Sequence, residues 1–148
     1  MKNAKYLIND LNWNKPQKIQ DNAIEKLIDI DEKELYLLVR PSKDKSCWEN
    51  AAKVLEKIGY PKNKSILAEL LIWLQDMNWP GAVIVFDILI AANKEDLIPY
   101  IENALKKANE ERDYIWITSL KELINRKNIS ITDFCNEDIY KLIDLAEW

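Results

Sequence analysis

Histidine is absent from the chain, and that gap removes several chemistries at once. Without an imidazole there is no Ser-His-Asp or Cys-His nucleophile system, no His-containing zinc site and no simple pH switch near neutrality. Glycine occurs only twice, too few for a G-x-G-x-x-G turn or a Walker loop, so the usual phosphate cradles are excluded. The two cysteines, Cys47 and Cys135, lie 88 residues apart, in neither C-x-x-C nor metal-ligand spacing. They are expected as buried thiols rather than as a disulfide. Cys47, near a helix start with Lys43 and Lys45 beside it, has the setting of a reactive thiol but no histidine to serve as its base.

Arginine is scarce too, at Arg40, Arg112 and Arg126 only, and the lysines are interspersed with acids. No basic groove can be assembled from that pattern, so nucleic acid is not an expected partner. The longest apolar run, Ala82–Phe86 continued by Ile88–Ala92, is broken by Asp87 and is too short for a bilayer. The N-terminus has no apolar leader segment, and the expectation is a cytoplasmic protein without membrane contact.

What the chain does have is enough apolar residue for a core. Its 148 residues are 48% hydrophobic and 31% charged, a size and composition expected for one domain over residues 1–148. Such a domain buries about 70% of the surface of its unfolded chain. Lysine plus arginine total 21 against 25 acids, a net charge of −4. Residues 1–128 carry 20 of each sign. The whole excess therefore comes from Asp133, Glu137, Asp138, Asp144 and Glu147 against Lys141. An acidic end of this kind is either a solvated helix face or a surface for a basic protein partner.

Apolar residues recur at helical spacing throughout, as in Trp48, Ala51, Ala52, Leu55 and Ile58, or Leu97, Ile98, Ile101, Ala104 and Leu105. Strand alternation is nearly absent. Gly59 followed by Pro61 reads as a helix stop with Tyr60 folding back onto Leu55; Ser65, Asn93 and Asn136 read as N-caps, and Pro80 as a first-turn residue. The pattern predicts helices at 2–11, 16–29, 31–39, 46–58, 66–76, 80–92, 95–109, 111–126 and 137–147. The short connections force neighbours to pack antiparallel. An acid followed by Asn-Ala recurs at residues 21–23, 49–51 and 102–104, and Asp-x-Asn-Trp at 10–13 and 76–79, without a regular register. The expected fold is all-α, with antiparallel helix pairs stacked right-handed as a short HEAT-like α-solenoid.

The most distinctive segment is Trp73-Leu74-Gln75-Asp76-Met77-Asn78-Trp79-Pro80-Gly81-Ala82, a tight turn between two strongly apolar helices. Asp76 or Asn78 can satisfy amides at the following helix start, and Gly81 lets another backbone approach closely. Trp73 and Trp79 are either core or amphipathic rings at a binding surface. Asp87 interrupts a helix apolar on nearly every face and is expected to be buried, accepting hydrogen bonds or acting as one of two acids with Asp76.

Cys47-Trp48-Glu49-Asn50-Ala51-Ala52, Ile58-Gly59-Tyr60-Pro61 and the Trp73–Ala82 string also resemble a bacterial domain-of-unknown-function family, DUF5071, over about residues 45–126. The resemblance implies an all-helical domain with no assigned activity, and so gives no catalytic residues, cofactor or metal. The first forty residues carry no resemblance. The leading functional expectation is a non-enzymatic module holding a protein partner on a concave helical face. Its binding residues would be drawn from Trp13, Trp48, Trp73, Asp76, Asn78, Trp79 and Asp87, with Trp13, Trp48 and Trp79 as the exposed tryptophans. An immunity protein that inhibits a cognate toxin is the specific form of that expectation. The alternative is a hydrolase or lyase using Asp76 and Asp87 as a carboxylate pair.

Overall fold

A computed structural model describes residues 4–41 and 44–147, and every regular element among them is helical. Lys43, one of the two lysines expected beside Cys47, lies outside the described residues. Eight α-helices follow in order: α1 Ala4–Asn9, α2 Gln17–Leu27, α3 Trp48–Ile58, α4 Leu67–Trp73, α5 Ala82–Ala91, α6 Lys94–Glu110, α7 Tyr114–Arg126 and α8 Glu137–Tyr140. Short 3-10 turns fill the joints at Glu32–Leu38, Lys45–Cys47, Lys62–Ile66, Ile131–Asp133 and Lys141–Leu145. Among the described residues no helix is long and apolar enough to cross a membrane.

The boundaries have local causes. Asn93 accepts from the Asp96 amide at 3.1 Å and Asn136 from the Asp138 amide at 2.9 Å, each the start of a helix with acids in its first turn. Gly59, at φ +72°, ends α3 and returns its amide to the Leu55 carbonyl. Four expectations need correction. The 137–147 helix is α only over Glu137–Tyr140 and continues as a 3-10 turn over Lys141–Leu145. Ser65 sits inside a 3-10 turn, and α4 follows it without a side-chain cap. Pro80 precedes α5 instead of entering its first turn, because Gly81 takes the cap position at φ +84°. The 31–39 helix is 3-10 rather than α, since its buried residues Leu35 and Leu38 are three apart and a three-residue period stacks them on one side.

Packing joins alternate helices. α3 lies on α5 and α5 on α7, while α4 lies on α6 and α6 on α8. α4 also meets α5, and α6 meets α7, so the two rows touch along their length; α1 packs on α2 and α2 on α3. One apolar cluster runs from Ala4 to Ile143.

Several helix ends are completed by side chains from far along the chain. The last carbonyls of a helix have no partner within it. Trp116 of α7 gives its indole N–H to the Leu71 carbonyl of α4 at 3.0 Å. Lys127 gives its ammonium to the carbonyls of Ile90 and Ala92, at 2.8 and 2.6 Å, closing the end of α5. Buried Asn50 of α3 donates to the Leu11 carbonyl beyond α1 and to Gln20 of α2, both at 2.8 Å. Tyr60, packed against the core cluster that contains Leu55, donates its hydroxyl to Asp96 of α6.

Candidate functional site

The Asp76–Asn78 turn, α5 and α7 together enclose a cleft of about 670 Å³. The turn is held by its own chemistry, with the Asp76 carboxylate accepting the Asn78 amide at 2.8 Å. Gly81 then reverses the chain into α5. A Cβ at Gly81 would lie 2.9 Å from the Trp48 carbonyl oxygen and 2.9 Å from Ala52 Cβ, so α5 is seated directly against α3. That seating leaves one stripe of α5, Val83, Phe86 and Asp87 at i, i+3, i+4, turned to the cleft. The opposite wall is one face of α7, with Ile115, Thr118, Ser119, Glu122 and Arg126. Glu147 completes the rim as the chain folds back, its amide donating to Thr118 Oγ1 at 2.8 Å.

Chemically the cleft is apolar with an acidic rim. Val83 and Ile115, both 63% exposed, present large aliphatic surface to water. Around them stand four carboxylates, Asp76, Asp87, Glu122 and Glu147, against one cation, Arg126, a net charge of −3. Arg126 is spoken for within the chain. Its guanidinium lies 5.6 Å from the centre of the Phe86 ring and 3.6 Å from the Glu122 carboxylate.

The residues singled out from sequence separate into three places. Asp76, Asn78 and Asp87 come together in the cleft. Asp87 is exposed, which corrects its expected burial: the neighbours of α5 cover Val85, Phe86, Ile88 and Leu89 but leave Val83 and Asp87 open. Trp48, Trp73 and Trp79 form an edge-to-face stack, with Trp48 6.0 Å from Trp73 and 5.5 Å from Trp79. Trp48 is therefore buried rather than exposed. Trp73 is fully buried too, with its indole N–H donating to the Pro80 carbonyl at 3.0 Å, which fastens the turn that carries Asp76 and Asn78. Trp79 is half-buried, with Arg40 and Lys45 each 5.9 Å from its ring centre. Trp13 is exposed and is not among the cleft-lining residues.

Cys47 is buried and Cys135 exposed, so only one thiol has the expected burial. Among the described residues no three of histidine, cysteine, aspartate and glutamate converge as a metal site. Sequence reasoning missed the α7 wall altogether. The spacing of Ile115, Thr118, Ser119 and Glu122 marks one helix face, but a lone exposed isoleucine on it is a weak signal beside six tryptophans.

The family model for the domain of unknown function DUF5071 matches residues 41–143. The chain belongs to this family. The matched region begins in the loop before α3 and extends beyond the 45–126 resemblance at both ends. It contains every cleft residue except Glu147, whereas α1, α2 and the 3-10 turn at Glu32–Leu38 precede it. The cleft therefore belongs to the DUF5071 region itself. No curated protein and no solved structure matches the chain.

Proposed function

We propose that the chain is a non-enzymatic protein-interaction module, acting in the cytoplasm as one domain over residues 1–148, whose partner docks in the cleft between α5 and α7. The single observation that carries this reading is the pair Val83 and Ile115, large aliphatic side chains left in water inside a concave site. Exposed apolar surface rimmed by polar groups is the usual form of a protein-binding patch. The α3–α5–α7 and α4–α6–α8 rows support a short HEAT-like solenoid as the frame, since stacked helix pairs contact every second helix. In its specific form the module is an immunity protein, with the −3 cleft turned toward a basic toxin. A photo-crosslinking residue placed at Val83 or Ile115 in cells is expected to trap one discrete partner. The same residue at Tyr36, equally exposed on the 3-10 turn before the family region, is expected to trap none. Identical adducts from all three positions, or none from any, would reject the reading.

The second reading, a hydrolase or lyase using Asp76 and Asp87, is favoured by the meeting of both carboxylates in one cleft. Against it, Asp76 is committed to its own turn and Asp87 stands in bulk solvent, where a general acid gains little from the protein. Turnover of ester, phosphodiester or glycoside substrates that Asp76→Asn and Asp87→Asn both abolish would establish it.

A further inference from the structure

We infer that the cleft receives an arginine carried on an apolar segment of the partner, and that Arg126 is the chain's own stand-in for that arginine. This rests on the interaction reading and specifies its chemistry. A cleft of net −3 with an aliphatic wall is complementary to a segment that alternates cationic and apolar side chains. The structure already holds one guanidinium in the arrangement such a partner needs, against the Phe86 ring and beside Glu122. A planar guanidinium suits that combination of aromatic face and carboxylate better than an ammonium does. The internal version is weak by construction. Glu122 and Arg126 are a solvent-exposed i, i+4 pair, each side chain 59% exposed, and pairs of that kind hold each other loosely. A partner arginine approaching between Asp76, Asp87 and Glu122 therefore displaces Arg126 from Phe86, and Arg126 swings to water at small cost. Arg126 acts as an intramolecular competitor that sets the affinity of the cleft.

Fluorescence anisotropy tests this with the full chain and a labelled synthetic peptide carrying arginine and leucine at helical spacing. Two control peptides replace every arginine by lysine or by glutamate. The arginine peptide is expected to bind more tightly than the lysine peptide, the glutamate peptide not at all, and added salt to weaken binding. Arg126→Gln removes the competitor and is expected to tighten the arginine peptide about three- to tenfold. Asp87→Asn, on the exposed stripe, is expected to weaken it up to about fivefold. Both positions are on the surface, so folding is not at stake, and far-ultraviolet circular dichroism verifies it.

Unchanged or weaker binding in Arg126→Gln overturns the competitor role, and equal binding of the glutamate peptide overturns the cationic occupant. Self-association of the free chain that Asp87→Asn abolishes would give the cleft to a second copy and overturn the inference as well. If no peptide binds while the crosslinker at Val83 still traps a partner, the arginine assignment alone falls. If both fail, the interaction reading falls with it.

Discussion

Gly81→Ala is expected to destabilise the fold by roughly 2–4 kcal/mol, through two effects that add. An L-residue in the left-handed conformation that Gly81 adopts, φ +84°, costs about 1–2 kcal/mol. The new methyl would also stand 2.9 Å from both the Trp48 carbonyl oxygen and Ala52 Cβ, and 3.1 Å from the Trp73 ring. Backbone and a fully buried indole yield poorly, so overpacking adds about 1–3 kcal/mol. The lower entropy of an unfolded alanine returns about 0.4–1 kcal/mol. Urea unfolding followed by circular dichroism reads the loss as a lower midpoint at constant slope, and for a chain of this size Tm falls by roughly 5–15 °C. Gly81→Asn separates the two effects. Asparagine tolerates the left-handed region better than alanine, so at a site limited by conformation alone it is the milder change. At Gly81, where space is the stronger limit, it is expected to be worse than alanine. A loss below about 1 kcal/mol for alanine, or a milder asparagine, would refute the close seating of α5 on α3.

Two further outcomes follow from polar groups outside the cleft. Asn50→Ala leaves the Leu11 carbonyl and the Gln20 amide oxygen without their donor in a buried site, at a cost of about 2–4 kcal/mol; hydrogen exchange should show α1 and α2 losing protection first. The Asp133 carboxyl is held below the usual carboxylate range, first by the Ser130 amide at 2.8 Å and then by Lys94 at 3.2 Å. A depressed pKa means that the unfolded chain binds the proton more readily. The contribution of Asp133 is thus present above the ordinary aspartate value of about 3.9 and is lost as pH falls through its lower folded value. Urea midpoints measured from pH 7 to pH 3 should fall less steeply in Asp133→Asn than in the parent, and parallel slopes would contradict the assignment.

Helix positions were legible because an α-helix must bury one face, and residues such as Leu97, Ile101, Ala104 and Leu105 repeat at its period whatever their neighbours are. Caps were legible where a single side chain does the work, as at Asn93 and Asn136. The boundary at Ser65 was not, because a 3-10 turn supplied the helix start without using the hydroxyl. α5 misled for a physical reason: a helix apolar all round has no face of its own, so only its neighbours decide that Val85 is buried and Asp87 exposed. A quarter of the cleft lining, Asp76, Met77 and Asn78, could be read in the Trp73–Ala82 string, since the turn residues declare themselves by type. Its other wall begins at Ile115, brought across by the packing of α5 on α7, which no local pattern encodes.

The borrowed helix ends bear on how the chain is made. Leu71 waits 45 residues for Trp116, Ile90 waits 37 for Lys127, and Leu11 waits 39 for Asn50. At a synthesis rate of about 5–20 residues per second, each of these carbonyls waits roughly 2–9 s on the nascent chain for its side-chain donor. The ribosome therefore releases these helix ends unfinished, and helices that emerge later fasten them. A chain stopped before Lys127 would carry α5 complete in sequence and open at its end, a difference that a stalled ribosome and a protease can reveal.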